Sequence, residues 1–318
     1  MGDDGARRKR PALAMAAGLV ACCVWVQTWL VVPFLVPCVC LWWAGRSRGV
    51  GAAVLIWVGL GHLCPQLSAS ESVRAFLRTM RDWIGSEVVR DEISVASVDS
   101  MPKPLLQCHH PHGVAAINSI SCPIAPRSAA VAPAVLMIPF CRQMMELCGA
   151  VSSSRQAMKD VMRGRKDLAL IPGGVEEVVL ASPRKERVFI KNRKGFIKYC
   201  IQFGYDVRAV YHFGETQLYD VMFPWDEPWA VKWRLWLART FQLATGLGVG
   251  CRYWPLAPKP NIRCISVEGP RIELPCVPEP PRDLVEKYHA VYVESLQKLY
   301  AKHRHRHASY ASKELEIW

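Results

Sequence analysis

Leu105-Leu106-Gln107-Cys108-His109-His110-Pro111-His112-Gly113 decides how this chain is read. With Pro104 before it, Leu105–Cys108 is a short apolar run of the kind that forms a buried strand. Three imidazoles in four residues follow at once, pinned by Pro111 and released by Gly113. In α/β sheets, catalytic groups gather where strands end and turns begin. A histidine held rigidly at such a point titrates near neutral pH and can take a proton from a weak nucleophile such as an alcohol. A turn carrying three solvated or structural histidines fits the same residues, and that alternative stays open on this stretch alone.

Downstream, strand and helix patterns alternate. Ser152–Arg165 is polar with helical spacing, and Asp167–Ile171 reads as a buried strand cut short by Pro172-Gly173-Gly174. Asn192–Phe203 predicts a helix, Val207–Phe213 a strand and Ile262–Glu268 another. Asp283–Lys302 predicts a final helix with Val285, Tyr288, Tyr292, Leu296 and Leu299 on its core-facing stripe. This order implies a mixed or parallel sheet flanked by helices, an α/β fold. Glu176 and Glu177, just past the Gly-Gly turn, are the best-placed carboxylates to orient a histidine. Acidic residues also suit a first helical turn for reasons of dipole alone.

The N-terminal quarter has another character. Residues 1–10 form a basic tail with Arg7-Arg8-Lys9-Arg10, and 11–64 are dominated by apolar residues. Ala12–Val32 carries no charge and as a helix would be roughly 30 Å long. Basic clusters on both sides of the apolar run, with Pro33 and Pro37 between, predict a membrane-embedded helical hairpin that enters and returns on one side; one crossing followed by a shallow return segment stays open. Residues 65–100 read as a linker whose Val73–Ile84 stretch would lie along the interface. The run is too long for a cleaved signal peptide, and Trp42-Trp43 ends it instead of small residues.

The formal net charge is +13, of which residues 1–64 contribute only six basic and two acidic side chains. An anionic membrane face or a phosphorylated substrate accounts for this better than nucleic acid, for which no recognition motif is present. The thirteen cysteines are odd in number, include no C-x-x-C pair and partly lie in apolar runs. They read as reduced thiols facing a cytosol.

His110-Pro111-His112-Gly113, Pro172–Glu177, Asn192-Arg193-Lys194-Gly195-Phe196, Phe213-Gly214-Glu215, Glu268-Gly269-Pro270 and Lys287-Tyr288-His289 with Tyr292 occur in one order. In this ordered set the chain resembles the type-2 diacylglycerol acyltransferases, with their monoacylglycerol and wax-ester relatives, over roughly residues 101–303. The resemblance implies a glycerolipid-acyltransferase-like sheet, with 304–318 as a C-terminal tail. It also implies an enzyme of the endoplasmic reticulum membrane and lipid droplets, its catalytic domain facing the cytosol. The enzyme would move an acyl group from acyl-CoA to diacylglycerol, with monoacylglycerol or a long-chain alcohol as alternative acceptors. No cofactor or metal is implied, and a homo-oligomer stays open. By position His112 matches the proposed catalytic histidine and Glu177 its glutamate, with His110 beside them. Arg193, Lys194, Gly173 and Gly174 become candidates for holding acyl-CoA, helped by the nearby cations Arg184, Lys185, Arg187, Lys191 and Lys198. The chain departs from the pattern at Trp83-Ile84-Gly85, where an aromatic-Phe-Pro motif is usual, and at Thr216, where asparagine is usual. The segment after His112 also looks shortened. A metal protein using Cys108, His109, His110 and His112, and an inert protein retaining the fold, are the readings from other classes.

Overall fold

The computed structural model describes residues 11–30, 63–91, 103–126, 128–138, 141–221, 226–241 and 248–318. It opens on α1 (Ala12–Leu30), α2 (Glu71–Arg78) and α3 (Met80–Ile84), which lead into β1 (Ser86–Arg90). Next come β2 (Leu105–His110), α4 (Ile117–Ser121), β3 (Ser128–Val131), α5 (Pro133–Leu136), α6 (Cys141–Leu147) and β4 (Ala150–Ser152). The middle of the chain gives α7 (Arg155–Arg163), β5 (Leu168–Leu170), α8 (Gly174–Leu180), β6 (Glu186–Val188), α9 (Gly195–Phe203) and β7 (Asp206–Phe213). After β8 (Asp220–Val221), α10 (Pro228–Phe241) and β9 (Gly248–Val249), the chain closes with β10 (Cys264–Ile272), α11 (Arg282–His303) and β11 (Leu315–Ile317).

Among the described residues the main sheet has the order β1-β10-β7-β2-β5-β3-β4. Strands β7, β2, β5, β3 and β4 are parallel, and β10 runs antiparallel to β7. This is the mixed, parallel-rich sheet that the alternating pattern predicts. Each residue of β2 is buried, as a central parallel strand covered on both faces must be. One face carries Leu106 and Cys108 against Met158 and Met162 of α7, Phe196 and Ile197 of α9, and Tyr292 and Leu296 of α11. A second cluster joins Leu77, Met80 and Ile84 of α2 and α3 to Ile117, Met145 and Cys264.

Helix α1 belongs to this second cluster through Ala21, Cys22 and Trp25. It approaches closely at Gly18, where a Cβ would sit 2.4 Å from the Thr79 carbonyl oxygen and 2.8 Å from the Trp83 nitrogen. The Trp25 indole Nε1 donates to the Ala115 carbonyl at 2.8 Å. One side of α1 is therefore covered by protein, while Leu13 and Val20 are exposed. Among the described residues no helix is long and apolar enough to cross a membrane. The bend and second arm of the expected hairpin, within 31–62, lie outside the described residues. The Val73–Ile84 stretch differs from expectation, because Leu77, Met80 and Ile84 face inward against α1 and Ile117.

The C-terminal segment 304–318 packs back onto the domain. Strand β11 pairs parallel with β6, the Trp318 amide donates to Val188 O, and the Lys191 amide donates to Trp318 O. His303 and His307 are buried with this segment. Charge on those rings would be expensive there, and burial lowers the pKa of both.

Candidate active site

His109 and His110 are the last residues of β2, and strand alternation sends them to opposite sides. His110 is fully buried on the α11 side. Its Nδ1 lies 3.2 Å from Glu177 Oε1, and its Nε2 lies 2.9 Å from the Tyr292 hydroxyl. Burial raises the Tyr292 pKa, so the phenol stays protonated and can donate to Nε2 while Nδ1–H donates to the carboxylate. Both ring nitrogens of His110 are thereby committed.

Glu177 is the centre of the arrangement. It reaches this place because β5 ends in the turn that starts α8, putting the carboxylate at the carboxyl edge of β2. Oε1 also accepts the Phe189 amide at 3.1 Å, and Oε2 accepts the His112 amide at 2.9 Å. A carboxylate buried among three N–H donors holds three segments in register. The Gly-Gly turn makes room for it: a Cβ on Gly173 would lie 2.2 Å from the carboxyl carbon, and Gly174 has φ +56°. Gly173 is thus accounted for by the carboxylate it touches.

The ring of His112 does not pair with Glu177, contrary to the expectation from sequence. It is half-buried, and its Nδ1 lies 3.1 Å from the Gly113 carbonyl. With Nδ1–H donating there, the lone pair sits on Nε2, to which no described residue hydrogen-bonds. Burial lowers the His112 pKa, opposed in part by the Glu177 charge, and so favours the neutral base. The loop carrying His112 is held from the other side by Glu215. Its Oε1 accepts the Ile117 amide at 3.0 Å, and its Oε2 accepts the Asn118 amide at 2.8 Å and Asn118 Nδ2 at 2.9 Å. Gly113, at φ +61°, lies so near Glu215 that a Cβ would be 2.6 Å from its Cγ. Burial pushes the Glu215 carboxyl up to about 7, against the three N–H donors.

His109 enters a separate buried chain: its Nδ1 is 2.9 Å from His212 Nε2, and His212 Nδ1 is 2.8 Å from Ser266 Oγ. Burial pushes the His109 pKa down to about 3 and lowers that of His212 strongly. Both rings are neutral at physiological pH. Since His109 and His110 diverge, the histidine cluster does not converge on one ion, and no metal-holding group of three occurs among the described residues.

Three of the expected phosphate-binding cations, Arg193, Lys194 and Arg187, pair with carboxylates. Arg193 donates to Glu176, and its guanidinium lies over the Phe189 ring. Lys194 Nζ is 2.9 Å from Glu286 Oε1. Arg187 is buried between Asp226 and Glu316, at 2.7 and 3.1 Å. Thr216 donates to Glu186 at 2.6 Å in a buried network with Tyr211 and Tyr310. Sequence reasoning does not reach Tyr292 as partner of His110, Glu215 as anchor of the His112 loop, or the His109–His212–Ser266 chain. A polar residue inside an apolar run, such as His212 between Tyr211 and Phe213 in β7, is the available signal.

The mixed α/β domain thus carries, on a carboxylate-braced turn, a histidine whose Nε2 meets no hydrogen-bond partner among the described residues. The family is settled by comparison: the family model described as diacylglycerol acyltransferase matches residues 103–318, and the chain belongs to that family. It is 28% identical over 298 residues to diacylglycerol O-acyltransferase 2 of Xenopus tropicalis, covering 84% of this chain and 79% of that one. With acyl-CoA wax alcohol acyltransferase 2 of Mus musculus it shares 27% identity over 191 residues, 58% of this chain and 57% of the relative. Among solved structures, the 1-acyl-sn-glycerophosphate acyltransferase PlsC of Thermotoga maritima aligns with a TM-score of 0.46 at 13% identity, over 93% of this chain and 100% of that one.

Proposed function

We propose that the protein is an acyl-CoA-dependent diacylglycerol O-acyltransferase in which His112 is the general base. The observation carrying this reading is the His112 Nε2, unpaired among the described residues, on a loop fixed by Glu177 and Glu215. The glyceride hydroxyl gives its proton to Nε2 as its oxygen attacks the thioester carbonyl carbon. The tetrahedral intermediate collapses, the carbon–sulfur bond breaks, and the leaving sulfur takes the proton from His112 Nε2, so that coenzyme A departs as the thiol and the base is neutral again. A thioester is already activated, so a base and alignment of two substrates suffice, without an acyl-enzyme. His110 and Glu177 are positioning residues: they hold the turn from which His112 projects.

The acceptor is a membrane lipid, and the enzyme works at the endoplasmic reticulum surface. The apolar N-terminal region supports this. So does the outward face of α10, where Trp229, Trp233 and Trp236 are exposed beside Lys232 and Arg239. Tryptophans interleaved with cations suit the headgroup region of a bilayer. The experiment is transfer of labelled acyl chains from acyl-CoA into neutral lipid by microsomes containing His112→Ala. A drop of about a hundredfold or more is expected for loss of a general base. Near-normal transfer with intact expression would remove His112 from the chemistry.

A further inference from the structure

A cleft of about 700 Å³ opens between α7, α9 and the Pro278–Pro280 segment, lined by Arg155, Lys159, Gly195, Lys198 and one carboxylate, Glu279. Its electrostatics are unusual. Helix α7 has no acidic residue in its first turn, no side-chain cap bond, and Arg155 at its first position. Helix α9 also lacks a first-turn acid, and its N-cap is Lys194, likewise without a side-chain cap bond. Helix N-termini carry partial positive charge, so a cation there is adverse in the absence of an anion. Two such termini and three cations face one space. A Cβ on Gly195 would meet nothing within 4 Å, so the α9 terminus is open.

The cleft runs along α9 from Gly195 to Gln202, and its Gly195 end lies at the same end of the sheet as the histidines. Helices α7 and α9 precede β5 and β7, which run parallel to β2, so both helix N-termini point toward the carboxyl edge that holds His110. Phe196, next to Gly195, packs edge-on against Tyr292 at 5.1 Å between ring centroids, and Tyr292 bonds His110. Meanwhile Arg193, Lys194 and Arg187 are occupied by carboxylates. Resting on the acyl-CoA-dependent reading above, we infer that the Arg155–Lys159–Lys198 cleft binds the phosphates of the coenzyme A moiety. The nucleotide end is held on the α7/α9 side while the thioester reaches His112 along the sheet edge. Phosphate on uncapped helix termini with flanking cations is a recurrent pairing.

The test is calorimetric titration of the detergent-solubilised full chain with coenzyme A, comparing wild type with Lys159→Glu/Lys198→Glu and the milder Lys159→Gln/Lys198→Gln. The dissociation constant should rise at least tenfold for the charge reversal and less for the neutral pair, with the melting temperature unmoved. Removing the 3′-phosphate from the ligand should shrink the difference between wild type and variants. With acyl-CoA as substrate, the effect should fall on KM more than on kcat. An affinity within twofold of wild type in both variants overturns the inference. So does loss of binding to phosphatidylserine-containing vesicles with unchanged coenzyme A affinity, which would assign the cleft to lipid headgroups. If the wild type binds coenzyme A through these lysines but transfers no acyl group, the transferase reading fails and the cleft stands. If it transfers acyl groups while binding coenzyme A independently of the lysines, the cleft assignment fails and the transferase reading stands.

Discussion

Replacing Glu177 by glutamine tests the brace beneath His112 while preserving its shape, which matters because Gly173 presses directly on the carboxyl group. The carboxylate accepts from His110 Nδ1, the Phe189 amide and the His112 amide. An amide has one accepting oxygen. If its nitrogen faces the His112 amide, that N–H loses its acceptor. If it faces the other two donors, His110 can change tautomer and accept, but the Phe189 N–H cannot. In either orientation one buried backbone donor is stranded, at about 1–3 kcal/mol. Thermal or denaturant unfolding should therefore show a loss of that size. Turnover should fall roughly tenfold to a hundredfold, since about 1.4 kcal/mol of lost alignment is a factor of ten. Labelled acyl incorporation at saturating acyl-CoA gives the rate, and unfolding of the same preparation gives the stability. His112→Ala should lose activity without comparable loss of stability, because its ring bonds only to its own loop. Wild-type rate and stability for Glu177→Gln would refute the idea that this carboxylate holds the site together.

Other outcomes follow from features away from the histidines. Glu186 is fully buried, and burial pushes its carboxyl up from 4.5 to about 7. A raised folded-state pKa gives stability that is complete below the unfolded value and lost as pH rises through the folded one. Glu186→Gln should accordingly flatten stability between pH 4.5 and about 7, by up to roughly 3 kcal/mol; an unchanged pH profile would contradict it. Trp25→Phe removes the bond to Ala115 O and should cost about 0.5–1.5 kcal/mol, while lowering kcat because Ala115 lies in the His112 loop. A kcat equal to wild type would mean that α1 does not steady that loop. Changing Trp229, Trp233 and Trp236 together to serine should weaken sedimentation with phosphatidylcholine vesicles with little effect on the melting temperature, since all three are exposed. Unaltered vesicle binding would remove α10 from the membrane contact.

The parallel core is legible in the sequence because its helices and strands carry their own periodicity. Leu105–Cys108, Leu168–Leu170, Asp206–Phe213 and the stripe on α11 all lie where apolar spacing predicts. Strands β3 and β4 escape such a reading, since Ser128–Val131 and Ala150–Ser152 are short and rich in small residues, too brief for period-two alternation. The site is legible in its residue types but not in its pairings. Sequence order sets His112 and Glu177 in one neighbourhood, yet the strand continues through His110, and alternation gives that ring the inward place beside Glu177 and Tyr292. The apolar face of Val73–Ile84 looks made for lipid because periodicity records that a face is buried and not what buries it. Similarly, charge alone does not separate Arg193 and Lys194, which meet Glu176 and Glu286, from Lys159 and Lys198 on the cleft.

The pairing of β11 with β6 has a consequence for biosynthesis. Residues 315–318 flank the strand that hands the chain to Phe189, whose amide grips Glu177. A nascent polypeptide emerging from the ribosome would carry every histidine of the site long before it carries this clasp. Competence should thus wait until residues 315–318 have been made, and a chain lacking them would have its chemistry present but its scaffold unfastened.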